Sequence, residues 1–330
     1  MPDPSESDGR TGSRTRAHGQ AHHGRTLAVC AADKTVRLFA KMGGHWRCFA
    51  VLEEGHQRTI RWCSWSPCGL QLASCSFDGL AMIWRCETDE FECVASLEGH
   101  ENEVKAVAWS ASGSFIATCG RDKSVFVWEA EDDQFDVAAV IHSHTQDVKA
   151  VVWHPISDVL ASASYDDTIK LYSQDGDDWR CATTLSGHAS TVWCVAFSAD
   201  GKRLVSCSDD RSVILWEDKA GDLNFQQAAK LEQVHDRPIY TIDWQKTSGG
   251  GDATGEEDFI ATGGGDDAVC LLRASISADP SKPKLELHSR CAKAHDGDVN
   301  TVAWSSCTDD EFRLLATGGD DGQVKLWKCR

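Results

Sequence analysis

The chain has no apolar run approaching the roughly 18 residues that a membrane-spanning helix needs, although 41% of its 330 residues are hydrophobic. Its first residues hold no apolar h-region, so no secretory signal is expected. None of its 15 cysteines stands in a Cys-x-x-Cys pair, the usual spacing for zinc or for thiol exchange. An odd cysteine count in a long chain without a signal points to reduced cytosolic thiols rather than a disulfide scaffold. Basic excess is missing too: 33 Lys and Arg against 51 Asp and Glu leave a net charge of −18. Nucleic-acid affinity rests on Lys and Arg neutralising phosphates, so neither nucleic acid nor a membrane is expected as a partner. The acidity serves solubility and repels wrong partners. No helical period is visible, and the remaining composition is that of an ordinary soluble protein.

What the chain does have is a repeat. Histidines recur at His56, His100, His144 and His188, each 44 residues after the last, and continue at His235 and His295 with wider spacing. An Asp recurs at Asp33, Asp78, Asp122, Asp166, Asp210, Asp266 and Asp321. Six residues after each comes a large side chain: Phe39, Trp84, Trp128, Tyr172, Trp216, Leu272 and Trp327. Within one unit, alternating apolar runs at 104–109, 115–119, 124–128 and 135–141 are separated by turn residues, the pattern of four strands. Four strands on a period of 40–45 predict an all-β chain, a seven-bladed WD40 β-propeller. A closed repeat fold of this size counts as one domain, here over residues 25–330.

A hydroxyl precedes each Asp by four residues, at Ser74, Thr118, Ser162, Ser206, Thr262 and Thr317. Ser, His and Asp together suggest nucleophilic catalysis, but an enzyme needs one such set against one substrate, and six copies are a structural device. Ionised Asp only accepts, indole only donates, and hydroxyl and imidazole do both. The expected result is a buried polar network that ties one blade's strands to the loop entering the next. Val29 in the hydroxyl slot of blade one and Leu272 in the Trp slot of blade six break the pattern.

Cysteines fall in repeated slots as well. Cys30, Cys75, Cys119 and Cys207 lie three residues before the turn Asp, and Cys48, Cys93 and Cys181 lie in the fourth strand. Both sets are expected to behave as small buried hydrophobes, with Cys63 and Cys68 outside the pattern and more accessible. No metal site and no cofactor is expected.

Two slots per repeat should line the narrow face around the channel, where propellers meet partners. One holds Arg61, Lys105, Lys149, Trp193, Tyr240 and Asn300, and the other Phe77, Arg121, Tyr165, Asp209, Gly265 and Asp320. Unlike structural residues, these vary. Arg61, Lys105, Lys149 and Arg121, with Phe77, Tyr165 and Trp193, form a basic and aromatic sector, which suits an acidic protein segment. The alternative is an ordinary solvated rim.

The stretches Glu54-Gly55-His56-Gln57-Arg58-Thr59, Leu97-Glu98-Gly99-His100-Glu101-Asn102-Glu103-Val104-Lys105, Ser143-His144-Thr145-Gln146-Asp147-Val148-Lys149 and Ala161-Ser162-Ala163-Ser164-Tyr165-Asp166-Asp167 go beyond the generic repeat. They resemble the WD40 subunit of the cytosolic iron–sulfur protein assembly (CIA) targeting complex. The resemblance implies a non-enzymatic adaptor in the cytoplasm, and in the nucleus as a second compartment. Implied partners are the complex's other subunits, an iron-hydrogenase-like carrier and apo iron–sulfur client proteins. In that family an Arg on the narrow face of the third blade is functionally important, and Thr118-Cys119-Gly120-Arg121-Asp122-Lys123 places Arg121 there. A ubiquitin-ligase substrate receptor or a signalling scaffold is the rival, since fold does not fix function. A thiol hydrolase built on Cys68 ranks below both.

The N-terminus departs from the family. Residues 1–24 hold only Met1, Ala17 and Ala21 as apolar residues, so a disordered tail is expected. The last unit supplies strands at 298–305, 313–318 and 323–328, and the expectation is 26 strands where a complete ring has 28, with blade one and the closure incomplete. A Gly-, Asp- and Glu-rich insert at 248–258 reads as a flexible loop within blade six.

Overall fold

Each blade is built from alternating apolar segments that can bury both faces only between neighbours. The computed structural model describes residues 15–18, 26–87, 90–176, 178–245, 258–275, 284–309 and 312–329, and all regular elements among them are strands. Blade three shows the plan. Its inner strand, Val104–Trp109, is buried throughout, Phe115–Gly120 and Val125–Glu131 follow, and the outer strand Gln134–Ile141 is largely exposed. All four pair antiparallel in sequence order. The gradient follows from position: inner strands are covered by both adjacent blades, outer strands only in part.

The turn between second and third strands is the same in every blade. The residue after the turn Asp takes a left-handed backbone at Lys34, Gly79, Lys123, Asp167, Arg211, Asp267 and Gly322, with φ between 63° and 90°. Only two of these seven are glycine, so the strain at the others must be offset locally. The Asp supplies that compensation. Its Oδ1 accepts the N–H two residues on, as in Asp122 with Ser124 at 3.1 Å and Asp166 with Thr168 at 3.1 Å.

A second regularity is invisible in the strand pattern. In blades two to seven the inner strand carries a β-bulge near its start, where two of its residues face one on the second strand. The extra residues are Arg61, Lys105, Lys149, Trp193, Tyr240 and Asn300. A bulge re-aims a side chain out of the pleat. One non-repeating residue per blade is thereby delivered to the rim that carries the turn Asp.

The inner strands touch in succession and the ring closes where Thr15–His18 meets Val299–Asp309. This corrects the expectation for the N-terminus. Thr15–His18 pairs antiparallel with Thr26–Ala31, from Thr15 opposite Ala31 to His18 opposite Ala28, and gives blade one its fourth, innermost strand. Backbone pairing needs no apolar side chain, which is why composition missed it. The count among the described residues is 27 strands rather than 26. Blade seven has three, and Val324–Cys329 carries no further strand among the described residues. The rest of the proposed tail, residues 1–14 and 19–24, lies outside them, as does the 248–258 insert up to residue 257. Asp258 itself opens the strand Asp258–Gly264.

The core is uneven. One cluster runs from blade two to blade six, whereas the seam between blades seven and one rests on Leu27, Val29 and Ala316 with Phe39, Trp46 and Val324 against them. Among the described side chains that seam removes little apolar area from water.

Candidate functional site

The repeated polar residues assemble into six sets. In blade three the His100 Nδ1–H donates to Asp122 at 2.8 Å, and the Thr118 hydroxyl donates to His100 Nε2 at 2.8 Å. The same hydroxyl oxygen accepts the Trp128 indole N–H at 3.0 Å. The tautomer follows from the ends of the chain, because Asp only accepts and indole only donates. Blade two repeats the set with His56, Asp78, Ser74 and Trp84, and blade five with His188, Asp210, Ser206 and Trp216. Blade four substitutes the Tyr172 hydroxyl for the indole beside His144, Asp166 and Ser162. Blade seven joins His295, Asp321, Thr317 and Trp327. Blade six has His235, Asp266 and Thr262 beside Leu272, and the Thr262 hydroxyl also lies within reach of the Cys270 carbonyl. The histidine comes from the loop entering the same blade as its Asp, and not from the loop entering the next. Among the described residues blade one shows no such histidine, and its Asp33 binds Thr35 and Arg37 with the carboxylate 39% exposed.

These carboxylates are held well below their ordinary range. Burial alone would raise Asp122, but the His100 N–H and the Ser124 hydroxyl overcome it and hold the group at about 2. The same balance, with the His56 and His235 N–H groups opposing burial, holds Asp78 and Asp266 at about 2 and depresses Asp166, Asp210 and Asp321. A carboxyl depressed on folding stabilises the native state above its unfolded value, about 3.9, and loses that contribution as pH falls through the folded value. The melting temperature should therefore be flat from pH 7 to about 5 and fall steeply between about pH 4 and 2. Calorimetry across that range checks it, and a flat profile down to pH 2 would remove the carboxylates from the stability account.

The cysteines divide by strand. Cys30, Cys75, Cys119 and Cys207 are buried, and burial pushes the Cys119 and Cys207 thiols up, away from thiolate chemistry. Cys48, Cys93 and Cys181 are exposed, contrary to expectation. Each sits beside a bulge in the outer strand, with its sulfur 3.4–3.6 Å from the carbonyl two residues on. Strand position misled here, because the fourth strand of a blade has only one covered side. Cys63 is buried and only Cys68 of that pair is exposed, 3.2 Å from the Ser66 hydroxyl. Among the described residues no three His, Cys, Asp or Glu side chains converge as metal ligands.

On the bulge rim the variable residues meet. The Lys105 ammonium lies 4.4 Å from the Phe77 ring, and the Lys149 ammonium is 5.0 Å from both Tyr165 and Trp193. Both lysines are only 8% exposed, so they serve mainly to hold the aromatic rings in place. Lys149 also faces Asp147 at 3.5 Å. The Trp193 indole N–H donates to Asp209 and its ring meets Tyr240 edge-on at 5.2 Å. In blade seven Asn300 donates to Asp320. Gly265 leaves room for Tyr240, since a Cβ there would stand 3.1 Å from the tyrosine hydroxyl. Arg61 is half-buried, while Arg121 and Tyr165 are each 40% exposed. Two rim residues escaped the sequence slots. Arg58 is 57% exposed, donating to the Phe77 carbonyl at 2.6 Å, and Glu103 lies 3.4 Å from Arg58 and 3.6 Å from Arg121. Both stand in the loops entering their blades, just ahead of the alternating inner strands.

At the other end of the inner strands is a cavity of 580 Å³ whose lining includes Trp65, Trp109, Trp153, Phe197, Trp244 and Trp304. An aromatic in the same place in six blades marks a structural position. The rim with the bulges is the one whose residues vary.

Comparison with known proteins gives two kinds of match. The WD40 family (WD domain, G-beta repeat) matches residues 46–85, 91–129, 136–173, 179–217 and 287–328. A probable cytosolic iron-sulfur protein assembly protein, Ciao1, of Culex quinquefasciatus is 46% identical over 336 aligned positions, covering 96% of this chain and 96% of the relative. Protein CIA1 of Arabidopsis thaliana is 52% identical over 318 positions, covering 92% of this chain and 87% of the relative. The human probable cytosolic iron-sulfur protein assembly protein CIAO1 is 47% identical over 107 positions, 32% of this chain and 28% of that protein.

Proposed function

Because this chain belongs to the WD40 family of cytosolic iron-sulfur protein assembly proteins, we propose that it is a non-catalytic adaptor that binds protein partners on its bulge rim during iron–sulfur protein assembly. One observation carries the choice of rim: six bulges deliver side chains of five kinds to one face of a repeating scaffold. Positions that vary on an exposed rim while the polar sets behind them recur answer to something outside the scaffold.

Within that rim the partner-facing residues are Arg121 and Arg61 with Phe77, Tyr165 and Trp193, and Lys105 and Lys149 act from beneath. Arginine and aromatic side chains on a rigid base suit an acidic protein segment. The His–Asp–hydroxyl sets have no part in this surface, since each is committed to its own blade. The partners are other subunits of the targeting complex, an iron-hydrogenase-like carrier and apo client proteins, in the cytoplasm and the nucleus. The cluster is cargo passed among them.

Affinity purification of the tagged full chain from its own cytosol tests the reading. Cytosolic iron–sulfur assembly proteins should co-elute in stoichiometric amounts. Ubiquitin-ligase adaptor subunits in their place would sink the proposal.

A further inference from the structure

Arg58 and Arg121 come from different blades yet face one carboxylate. Glu103 places one oxygen 3.4 Å from Arg58 Nη2 and the other 3.6 Å from Arg121 Nη1. Its side chain is 14% exposed, well below the two guanidinium groups that cover it. Both contacts are long against the 2.7–2.9 Å of a formed charge-assisted hydrogen bond.

Each arginine also makes a bond that does not involve that carboxylate. Arg58 is anchored by its 2.6 Å bond to the Phe77 carbonyl. The backbone of Arg121 is fixed by a 2.9 Å bond to the Glu103 carbonyl, which any residue at 103 would provide. Burial raises the Glu103 carboxyl, but its own backbone N–H, Lys105, Arg121 and Arg58 outweigh burial and keep it low. Three cations thus act on one carboxylate at this point of a chain whose total charge is −18. Five donors in a fixed fork on each guanidinium can serve more than one carboxylate.

We propose that Arg58 and Arg121 form a two-guanidinium seat for an acidic side chain of a partner protein, and that Glu103 is its resident stand-in, displaced when the partner docks. This rests on the rim being the partner surface. Glu103 is then a built-in competitor that sets affinity and suppresses capture of weakly acidic segments. Removing its charge takes one competitor away from both guanidinium groups.

The test uses the full-length protein and a short fluorescein-labelled peptide of Asp, Glu, Gly and Ser, with the Asn/Gln version of the same peptide as control. Glu103→Gln keeps the shape, removes the charge, and should tighten binding of the acidic peptide roughly three- to tenfold. The control peptide should not gain, and the gain should vanish in the double variant Glu103→Gln, Arg121→Gln. Circular dichroism and melting temperature verify the fold of each variant. Equal or weaker binding by a folded Glu103→Gln protein overturns the competitor role. If Arg121→Glu keeps its partners, the rim reading fails instead, so the two failures are distinguishable.

Discussion

Replacing Asp122 by Ala lowers the melting temperature by several degrees, and replacing Asp33 by Ala lowers it far less. The two residues occupy the same slot of the repeat and precede the same left-handed turn residue, at Lys123 and Lys34. What differs is the company. Asp122 accepts from the His100 ring, the Glu101 N–H and both the N–H and hydroxyl of Ser124, and its side chain is 9% exposed. Its removal takes the acceptor from both the His100 N–H and the Ser124 hydroxyl, which lie 3.2 Å apart in a buried place, and loosens Thr118 and Trp128 behind them. A buried donor left without a partner costs about 1–3 kcal/mol, and the turn strain at Lys123 adds to that. Asp33 faces solvent with Thr35 and Arg37, where an ion pair contributes only about 0.2–1 kcal/mol. Differential scanning calorimetry of the two variants beside the parent checks the contrast. Similar losses at both sites would mean that the turn, and not the polar set, is what the aspartate maintains.

Arg121→Glu loses partner capture by about tenfold or more while the ring stays folded. The slot before the turn Asp holds Phe77, Arg121, Tyr165, Asp209, Gly265 and Asp320 in six blades, so the scaffold accepts almost any side chain there. At this 40% exposed site folding loses a 3.6 Å approach to Glu103, which contributes little. Binding loses far more, because a carboxylate then stands beside Glu103 and repels an acidic partner. Co-purification of iron–sulfur assembly proteins with the variant, read beside its melting curve, separates the two effects. A variant that melts several degrees lower and binds less in proportion would make Arg121 a structural residue.

Much of the fold could be read from the chain because repetition multiplies a weak signal. A single Ser, His and Asp says little, but the same spacing from Asp to Trp in blade after blade assigns the turns and strands. The turn residues at Asp78, Asp122, Asp166, Asp210, Asp266 and Asp321 take equivalent places for that reason. The variable slots were legible as positions but not as environments. Lys105 and Lys149 read as exposed cations and lie under aromatic rings, because a long apolar stem follows the protein surface wherever a ring offers its face. Cys48, Cys93 and Cys181 read as buried and are exposed, because a fourth strand alternates like the others but has no neighbour outside it. Thr15–His18 went unseen because its pairing is made by the backbone.

The sequence alone determined the number of blades, the order of strands within each, and the polar sets that recur from blade to blade. All of these depend on local spacing, and spacing survives in one dimension. Tertiary structure alone decided which variable residues share one spot. Arg58 precedes the inner strand of blade two, Glu103 precedes that of blade three, and Arg121 lies across blade three from it. Their meeting depends on the stacking of two blades and on the backbone bond from Arg121 to Glu103, and no periodicity along the chain encodes a contact between residues that do not repeat.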